Sequence, residues 1–229
     1  LTGLTLLLME NGADHRIENN MGEKALTLEH VIRHNYDQWL VKVIEADTAY
    51  LNEAQINGRS LFQYAIELGN SDTLAKLFEY GLKPKEWVPK VMVPIKYVVQ
   101  HNDLATAKLL LEQKWATPEP AGFNMDTPVH LASSLNQSRM IELLIEYGYG
   151  VNDQGLEGNT PLHYAVETGS TFSILVLVEN NADPSIWNSE GKRPIDLARD
   201  LGDSAIVDVI KSAADKFDRR EQLPPKSDQ

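Results

Sequence analysis

The fold is decided by one stretch of this sequence, GNTPLHYA at residues 158–165. Thr160 and Pro161 are typical of a helix start, with threonine as the N-cap and proline at the first helical position. Leu162 and Ala165 lie three residues apart and begin an apolar stripe, which predicts a short helix with one buried face.

The same pattern returns along the chain at a nearly constant spacing. Copies start at residues 26, 60, 93, 127, 160 and 193, so the steps between them are 33 or 34 residues. The second clearest copy is TPVH at 127–130, whereas the other four replace both the threonine and the histidine. A phase held over five steps indicates a stack of similar units, each buried by its neighbours. Such a stack favours an extended binding surface over a central active-site pocket.

Each unit is predicted to contain a second helix after a tight turn. In the clearest copy, Ile174, Leu175, Leu177 and Val178 predict the buried side of this helix, and the turn-rich residues 180–184 end it. About nine residues after each start stands a glycine or asparagine, which predicts a left-handed residue at the end of the first helix. These residues are Asn35, Gly69, Asn102, Asn136, Gly169 and Gly202.

These motifs resemble the ankyrin-repeat family. The resemblance rests on TPLH at 160–163, on Thr-Pro and His within 127–130, and on NGAD at 11–14. It implies an all-α solenoid of helix-turn-helix units joined by β-hairpin-like loops. It also implies that His130 and His163 are structural, bonding to neighbouring backbone and to the motif threonine so that adjacent units are tied together.

The resemblance covers residues 1–211, which we expect to form one ankyrin-repeat domain. A partial repeat at 1–20 precedes six repeats that start near residues 21, 55, 88, 122, 155 and 188. The segment 84–89 departs from the family pattern and predicts an irregular hairpin, and residues 212–229 predict a polar, disordered tail. Because the partial repeat lacks its first helix, we expect the chain to belong to a longer protein with more repeats or another domain upstream.

The composition argues against several classes of function. The 229 residues carry a formal net charge of -12, which repels phosphates and opposes non-specific nucleic-acid binding. The sequence has no cysteine, so a disulfide framework and thiol catalysis are excluded. No apolar run approaches the roughly 18 residues of a membrane span, and no signal peptide is visible. We therefore predict no membrane insertion and a cytoplasmic or nuclear location, or the host cytoplasm if the protein is a secreted bacterial effector.

No residue pattern points to catalysis. His30 and His34 have the i, i+4 spacing of metal ligands, but no third ligand is evident nearby, so two surface histidines are the favoured interpretation. The sequence contains no phosphate-binding glycine loop and no serine nucleophile elbow. The carboxylates fall mostly at exposed helix positions, where general acid–base catalysis has no desolvated partner. We predict no catalytic residue, no metal and no cofactor, and no enzyme activity within this chain.

In the ankyrin architecture, the first helices line a concave groove and the loops form fingers, which together contact partners. The residues that the repeat register places there are Arg33, His34, Arg59, Glu67, Leu68, Trp87, Gln100, His101, Phe123, Leu135, Leu156, Glu167, Trp187, Asp200 and Leu201. Aromatic residues are frequent at binding hot spots, although each could instead pack on a neighbouring finger. The recurring leucines could form an apolar stripe or pack within their units. With the acidic positions between them, they predict a partner protein that has a basic, partly apolar face.

Two functions remain open at this stage. The first is a monomeric protein-binding module, an adaptor or targeting scaffold that acts through its groove and fingertips. The alternative is the substrate-recruiting arm of a multidomain enzyme or secreted effector whose catalytic domain precedes residue 1. A purely structural spacer is a third interpretation, which the aromatic fingertips argue against. Asn152 is similar to the loop asparagine that asparaginyl hydroxylase modifies in ankyrin repeats, although it could simply stabilise its turn.

Overall fold

The computed structural model describes residues 28–36, 40–41, 44–45, 51, 54–82, 94–116, 118 and 125–221. This part of the chain is mostly helical, as predicted for an all-α ankyrin solenoid. The chain forms two compact units, Leu1–Pro94 and Ile95–Gln229. The predicted partial repeat at 1–20 and the irregular segment at 84–89 lie outside the described residues.

Helices follow one another in pairs along the chain. The first unit contains α1 (Leu28–Arg33), β1 (Gln55–Ile56), β2 (Arg59–Ser60), α2 (Leu61–Glu67) and α3 (Ser71–Glu79). Helix α4 (Pro94–Gln100) begins at the boundary of the two units. The second unit continues with α5 (Leu104–Glu112), α6 (Pro128–Ser134), α7 (Ser138–Glu146), a 3-10 turn (Leu156–Gly158), α8 (Pro161–Glu167), α9 (Thr171–Glu179), α10 (Pro194–Asp200) and α11 (Ser204–Glu221).

The predicted helix starts and turns are confirmed. Helices α2, α4, α6, α8 and α10 each begin one residue after the first residue of a motif copy, at 60, 93, 127, 160 and 193. All six predicted glycines and asparagines have left-handed backbone, with φ between 53° at Asn102 and 73° at Gly202. The tight turn between paired helices therefore depends on a residue type that tolerates positive φ.

We expect Gly169→Ala to lower the free energy of unfolding by about 1 kcal/mol, because an L-residue in the left-handed region is strained. The φ of Gly169 is +66°, and an added methyl group would meet nothing within 4 Å, so conformation alone sets the cost. Gly169→Asn should cost less, since asparagine tolerates this region and occupies the equivalent position at Asn136. Urea unfolding of both variants checks this, and an equal cost for Ala and Asn would contradict it.

One finger is a regular β-hairpin. Strands β1 and β2 pair antiparallel, with Gln55 opposite Ser60 and Ile56 opposite Arg59. Asn57 and Gly58 between them have φ of 53° and 78°. An Asn-Gly pair with both φ angles positive is the preferred two-residue hairpin turn, because its twist matches that of the strands.

The core of the second unit lies between successive helix pairs. Helix α8 packs against α6, α9 and α10. Leu144 on α7, Leu162 on α8 and Leu177 on α9 are fully buried. Burying one such side chain stabilises a fold by roughly 1.5–3 kcal/mol, so each repeat depends on its neighbours for stability.

Two expectations about the helices differ from the structure. Leu175, predicted on the buried side of α9, is 39% exposed, because α9 buries Ser173, Ile174 and Leu177 and turns Leu175 away from them. The disordered tail expected from residue 212 is helical through Glu221, the last residue of α11. Ala213 is buried in line with Ile206 and Ile210, so the apolar stripe of α11 continues past the expected domain boundary.

Candidate functional site

Two of the residues predicted to bind a partner, Arg33 and Arg59, are paired with other side chains of the first unit. Arg33 donates to Glu29 at 2.7 Å and to the Tyr64 hydroxyl at 2.8 Å. The guanidinium Nε of Arg59 lies 2.7 Å from a carboxylate oxygen of Glu67. These pairs fix long side chains on the surface and partly offset their charges. Leu68 and His34 are exposed, and their contact with a partner stays a prediction.

In the second unit, every predicted residue that the structure describes is exposed. These residues are Gln100, His101, Leu135, Leu156, Glu167, Trp187, Asp200 and Leu201. Leu135 and Leu201 leave about half of their surface open, and Leu68 of the first unit is exposed to a similar degree. Trp87 and Phe123 lie outside the described residues.

The two fingers before α8 and α10 are fixed by hydrogen bonds. In the first finger, the Gly155 N–H donates to the Asn159 carbonyl at 2.8 Å, and Glu157 at the tip has φ of 57°. The Ser189 N–H of the second finger donates to the Glu157 carbonyl at 2.8 Å. The Gln154 amide donates to the Trp187 carbonyl at 3.0 Å. The backbone that carries both fingertips is thus held by direct bonds between the fingers.

Trp187 is the largest exposed apolar side chain on these fingers. Its ring is 56% exposed, and the Arg193 guanidinium carbon lies 4.9 Å from the ring centroid. This cation–π contact holds one face of the ring in place. Arg193 itself donates from Nε and Nη2 to the two carboxylate oxygens of Asp196 at 2.9 Å and 3.2 Å. The carboxylate therefore offsets the guanidinium charge beside the tryptophan.

Carboxylates converge near the same fingers. Partial burial, followed by the charges of Glu190 and Glu157, raises the pKa of Glu167. Glu157 and Glu190 lie on the two fingers and Glu167 lies on α8, and all three are exposed, so their charges give this region a negative field. Nearby, the Lys192 ammonium lies 2.8 Å from Asp200 and is already paired. Glu157 and Glu190, which the repeat register also places on the fingers, contribute to this field beside Glu167, although they were not among the predicted contact residues.

His130 and His163 have the predicted structural role. The Nδ1 atoms accept from the Thr127 and Thr160 N–H groups at 3.0 Å and 3.1 Å, and each lies 2.8 Å from its threonine hydroxyl. The Nε2 of His130 lies 3.0 Å from the Asn159 carbonyl. A carbonyl can only accept, so Nε2 carries the proton and each ring is neutral. The Nε2 of His163 bonds in the same way to the next finger, at 3.1 Å from the Lys192 carbonyl.

Asp126 supports the first finger in a way that sequence reasoning missed. Its carboxylate accepts from the Leu156 N–H at 2.9 Å and from the Tyr164 hydroxyl at 3.0 Å. Burial, followed by the Asp126 charge, raises the pKa of Tyr164. The only sequence signal is the place of Asp126, directly before the motif threonine Thr127.

Asn152 bridges two loops. Its amide nitrogen donates to the Asn181 carbonyl at 3.1 Å, and its amide oxygen accepts from the Asp183 N–H at 2.7 Å. Both bonding groups of the side chain are thus used to join successive repeats, which agrees with the turn-stabilising interpretation.

Within the described residues, no three His, Cys, Asp or Glu side chains are arranged to hold a metal ion. His34, one of the i, i+4 pair, stacks on Tyr36 with ring centroids 5.7 Å apart. Membrane crossing finds no support in the described helices either, since none combines the necessary length and apolar character.

Comparison with known proteins agrees with the geometry. A family model described as ankyrin repeats, in three copies, matches residues 95–188. No curated protein matches the sequence. Ankyrin repeats are generally protein–protein interaction modules and are typically non-catalytic. With paired short helices, left-handed turns and the histidine-capped motifs TPVH and TPLH, residues 95–188 of this chain belong to the ankyrin repeats.

Proposed function

We propose that the second unit binds a basic, partly apolar segment of a partner protein. The contact surface, called the finger surface here, consists of Leu156, Glu157, Glu167, Trp187 and Glu190. The observation that supports this proposal is an exposed tryptophan on two mutually bonded fingers, which carry two exposed carboxylates beside a third on α8. In this function the chain is an adaptor or targeting module, and the same surface would recruit a substrate if a catalytic domain were attached.

The apolar part of the finger surface suits a binding anchor. Trp187 is 56% exposed and Leu156 is 51% exposed. Because Arg193 and the bonds between the fingers already order this region, a partner would find it preorganised and lose less entropy on binding. Buried tryptophans at interfaces are frequent hot spots.

The charged part selects the chemistry of the partner. Partial burial and then the charges of Glu190 and Glu157 raise the pKa of Glu167, so a positive group near Glu167 would be favoured. A lysine or arginine of the partner would be attracted to these carboxylates, which would steer association at low ionic strength. An acidic partner would meet both this cluster and the overall charge of -12.

We expect Trp187→Ala to lower the affinity for such a partner about tenfold or more, as for a typical hot-spot aromatic. Replacing Glu157, Glu167 and Glu190 together by glutamine should lower the affinity by about tenfold. It should also make the affinity less dependent on salt, since the attraction between the carboxylates and the basic partner is removed. The measurement is fluorescence anisotropy with labelled peptides rich in lysine and leucine, at several salt concentrations.

A second triple variant controls for net charge. Glu79, Glu112 and Glu146 are exposed at the last positions of α3, α5 and α7, and their replacement by glutamine changes the charge equally. If this control loses as much affinity as the finger variant, the total charge and not the finger surface is responsible. That result would refute the proposed site.

A further inference from the structure

Helix α9 exposes large apolar side chains at two positions where the equivalent described helices, α3, α5, α7 and α11, do not. Phe172 is 74% exposed and Leu175 is 39% exposed. At the register position of Phe172, helices α3, α5, α7 and α11 carry Asp72, Ala105, Arg139 and Ala205. At the position of Leu175, they carry Ala75, Lys108, Glu142 and Asp208. Only α9 among these helices combines two large apolar residues at solvent-facing positions.

These two side chains lie outside the core-facing side of α9. That side is formed by Ser173, Ile174 and Leu177, all fully buried. Phe172 leaves about three quarters of its surface open, and Leu175 about two fifths. Isolated exposed apolar residues are ordinary, but a contiguous group with no structural role indicates an interaction site.

The neighbouring helices extend the apolar area. Helix α9 packs between α7 and α11. Leu143 on α7, Val176 on α9 and Val209 on α11 share one register position and are all half-buried. Together with Phe172 and Leu175 they define the outer-helix patch. It consists of different residues from the finger surface, so it does not depend on the proposed function.

Carboxylates border the outer-helix patch. Glu142 on α7 and Asp208 on α11 occupy the register position of Leu175, and Glu179 lies one turn further along α9. All three are exposed, and they outnumber the one exposed cation at the register position of Phe172, Arg139 on α7. A second copy of this chain would bring the same carboxylates face to face, in a protein whose net charge is -12. Charge complementarity therefore favours a basic occupant over self-association.

We propose that the outer-helix patch is a second protein-docking surface, which binds a basic amphipathic helix of another protein. An amphipathic helix presents a stripe of apolar residues at i, i+3, i+4 and i+7. This stripe suits an apolar area that runs across the neighbouring helices α7, α9 and α11. Lysine or arginine beside this stripe would pair with Glu142, Glu179 and Asp208. A partner could occupy this patch while the finger surface holds a different one.

The test uses a labelled helical peptide with leucines at i, i+3, i+4 and i+7 and lysines elsewhere, and the same peptide with glutamates replacing the lysines. In the patch variant, Phe172→Ala and Leu175→Lys introduce the residue types that α5 carries at Ala105 and Lys108. We expect this variant to bind the lysine peptide at least tenfold more weakly than the original chain. The glutamate peptide should bind neither protein.

A matched control changes the finger surface instead. Trp187→Ala with Leu156→Lys removes exposed apolar area and changes the charge by the same amount. We expect it to leave binding at the outer-helix patch within twofold, which amide shifts of α9 in NMR spectra of the peptide complex would follow. Both double variants replace exposed side chains, so unchanged melting curves should show that they fold.

Three outcomes would overturn the proposal. The first is equal loss of affinity in the patch variant and the control, and the second is equal affinity for the lysine and glutamate peptides. The third is dimerisation of the original chain that the patch variant abolishes, as measured by sedimentation, which would identify a second copy as the occupant. If the original chain binds the peptide at the outer-helix patch but not at the finger surface, only the proposed function is refuted.

Discussion

Gly155→Ala is expected to destabilise the second unit by roughly 2–4 kcal/mol, of which about 1–3 comes from overpacking and about 1 from disturbed hydrogen bonds. The φ of Gly155 is −94°, which is not in the left-handed region. The expected loss comes instead from the crowded surroundings of Gly155.

The added methyl group would have no space. It would overlap an Asp126 carboxylate oxygen and approach the Nε2 of His130 to 3.1 Å and the Cα of Asp126 to 3.2 Å. The Asp126 carboxylate is held by the Leu156 N–H and the Tyr164 hydroxyl, and the His130 ring by the Asn159 carbonyl. Moving either group breaks contacts that join one repeat to the next finger.

Urea unfolding monitored by circular dichroism measures this effect, with Gly169→Ala as the matched control. That control is strained but has open space, so it should cost about 1 kcal/mol. In the double variant Gly155→Ala/Asp126→Ala, part of the overlap is removed, so the double loss should be smaller than the sum of the single losses. Strict additivity would show that the carboxylate is not the obstacle.

The residues that were predicted best are those whose signal is local. The Thr-Pro start of α8, its apolar spacing and Gly169 all act within one turn of helix, so sequence alone places them. Leu175 was misplaced because α9 is apolar on almost every side, and such a helix has no periodicity that shows which face is buried. The same lack of periodicity conceals the outer-helix patch from the sequence.

Interactions between repeats were harder to predict. The bond from Tyr164 to Asp126 joins residues 38 positions apart, and nothing in either local sequence indicates it. The acidic cluster depends on how the tips at Glu157 and Glu190 turn towards α8, which is set by loop conformation. The interrepeat bonds of His130 and His163 were predictable only through the family resemblance, because spacing alone does not reveal what Nε2 contacts.

Acid is expected to destabilise the protein through His130 and His163, by at most about 1.4 kcal/mol per histidine per pH unit. Burial is the main cause that lowers the pKa of each histidine in the folded state. The charges of Asp126 and Asp153 partly raise the pKa of His130 again. The positive charge that His130 would carry when protonated lowers the pKa of His163 further. Below a pH of about 6.5, the unfolded chain binds protons that the folded chain cannot. The histidine contribution is thus complete above this pH and is lost as the pH falls.

The measurement is the free energy of unfolding in urea between pH 7.5 and pH 5.5, a range above the titration of ordinary carboxylates. Glu167 partly opposes the loss of stability in acid, because its raised pKa makes the folded state bind a proton more readily as the pH falls. The histidine effect is therefore obtained as the difference between the original chain and variants that lack the titrating rings.

His130→Gln and His163→Gln are suitable variants because glutamine fits this capping position without titrating. The chain already holds a buried glutamine at the equivalent position, since Gln63 lies three residues after Ser60 and its side-chain amide donates to Glu67 at 3.0 Å. Each variant should reduce the slope of stability against pH, and the double variant should remove the histidine part. Asp196, at the same position in α10, has its pKa lowered chiefly by a hydrogen bond from Arg193. Its contribution to stability is therefore lost only at a lower pH than that of the histidines. If the double variant keeps the original slope between pH 7.5 and pH 5.5, the two neutral, capping histidines are not the groups that make the stack of repeats sensitive to acid.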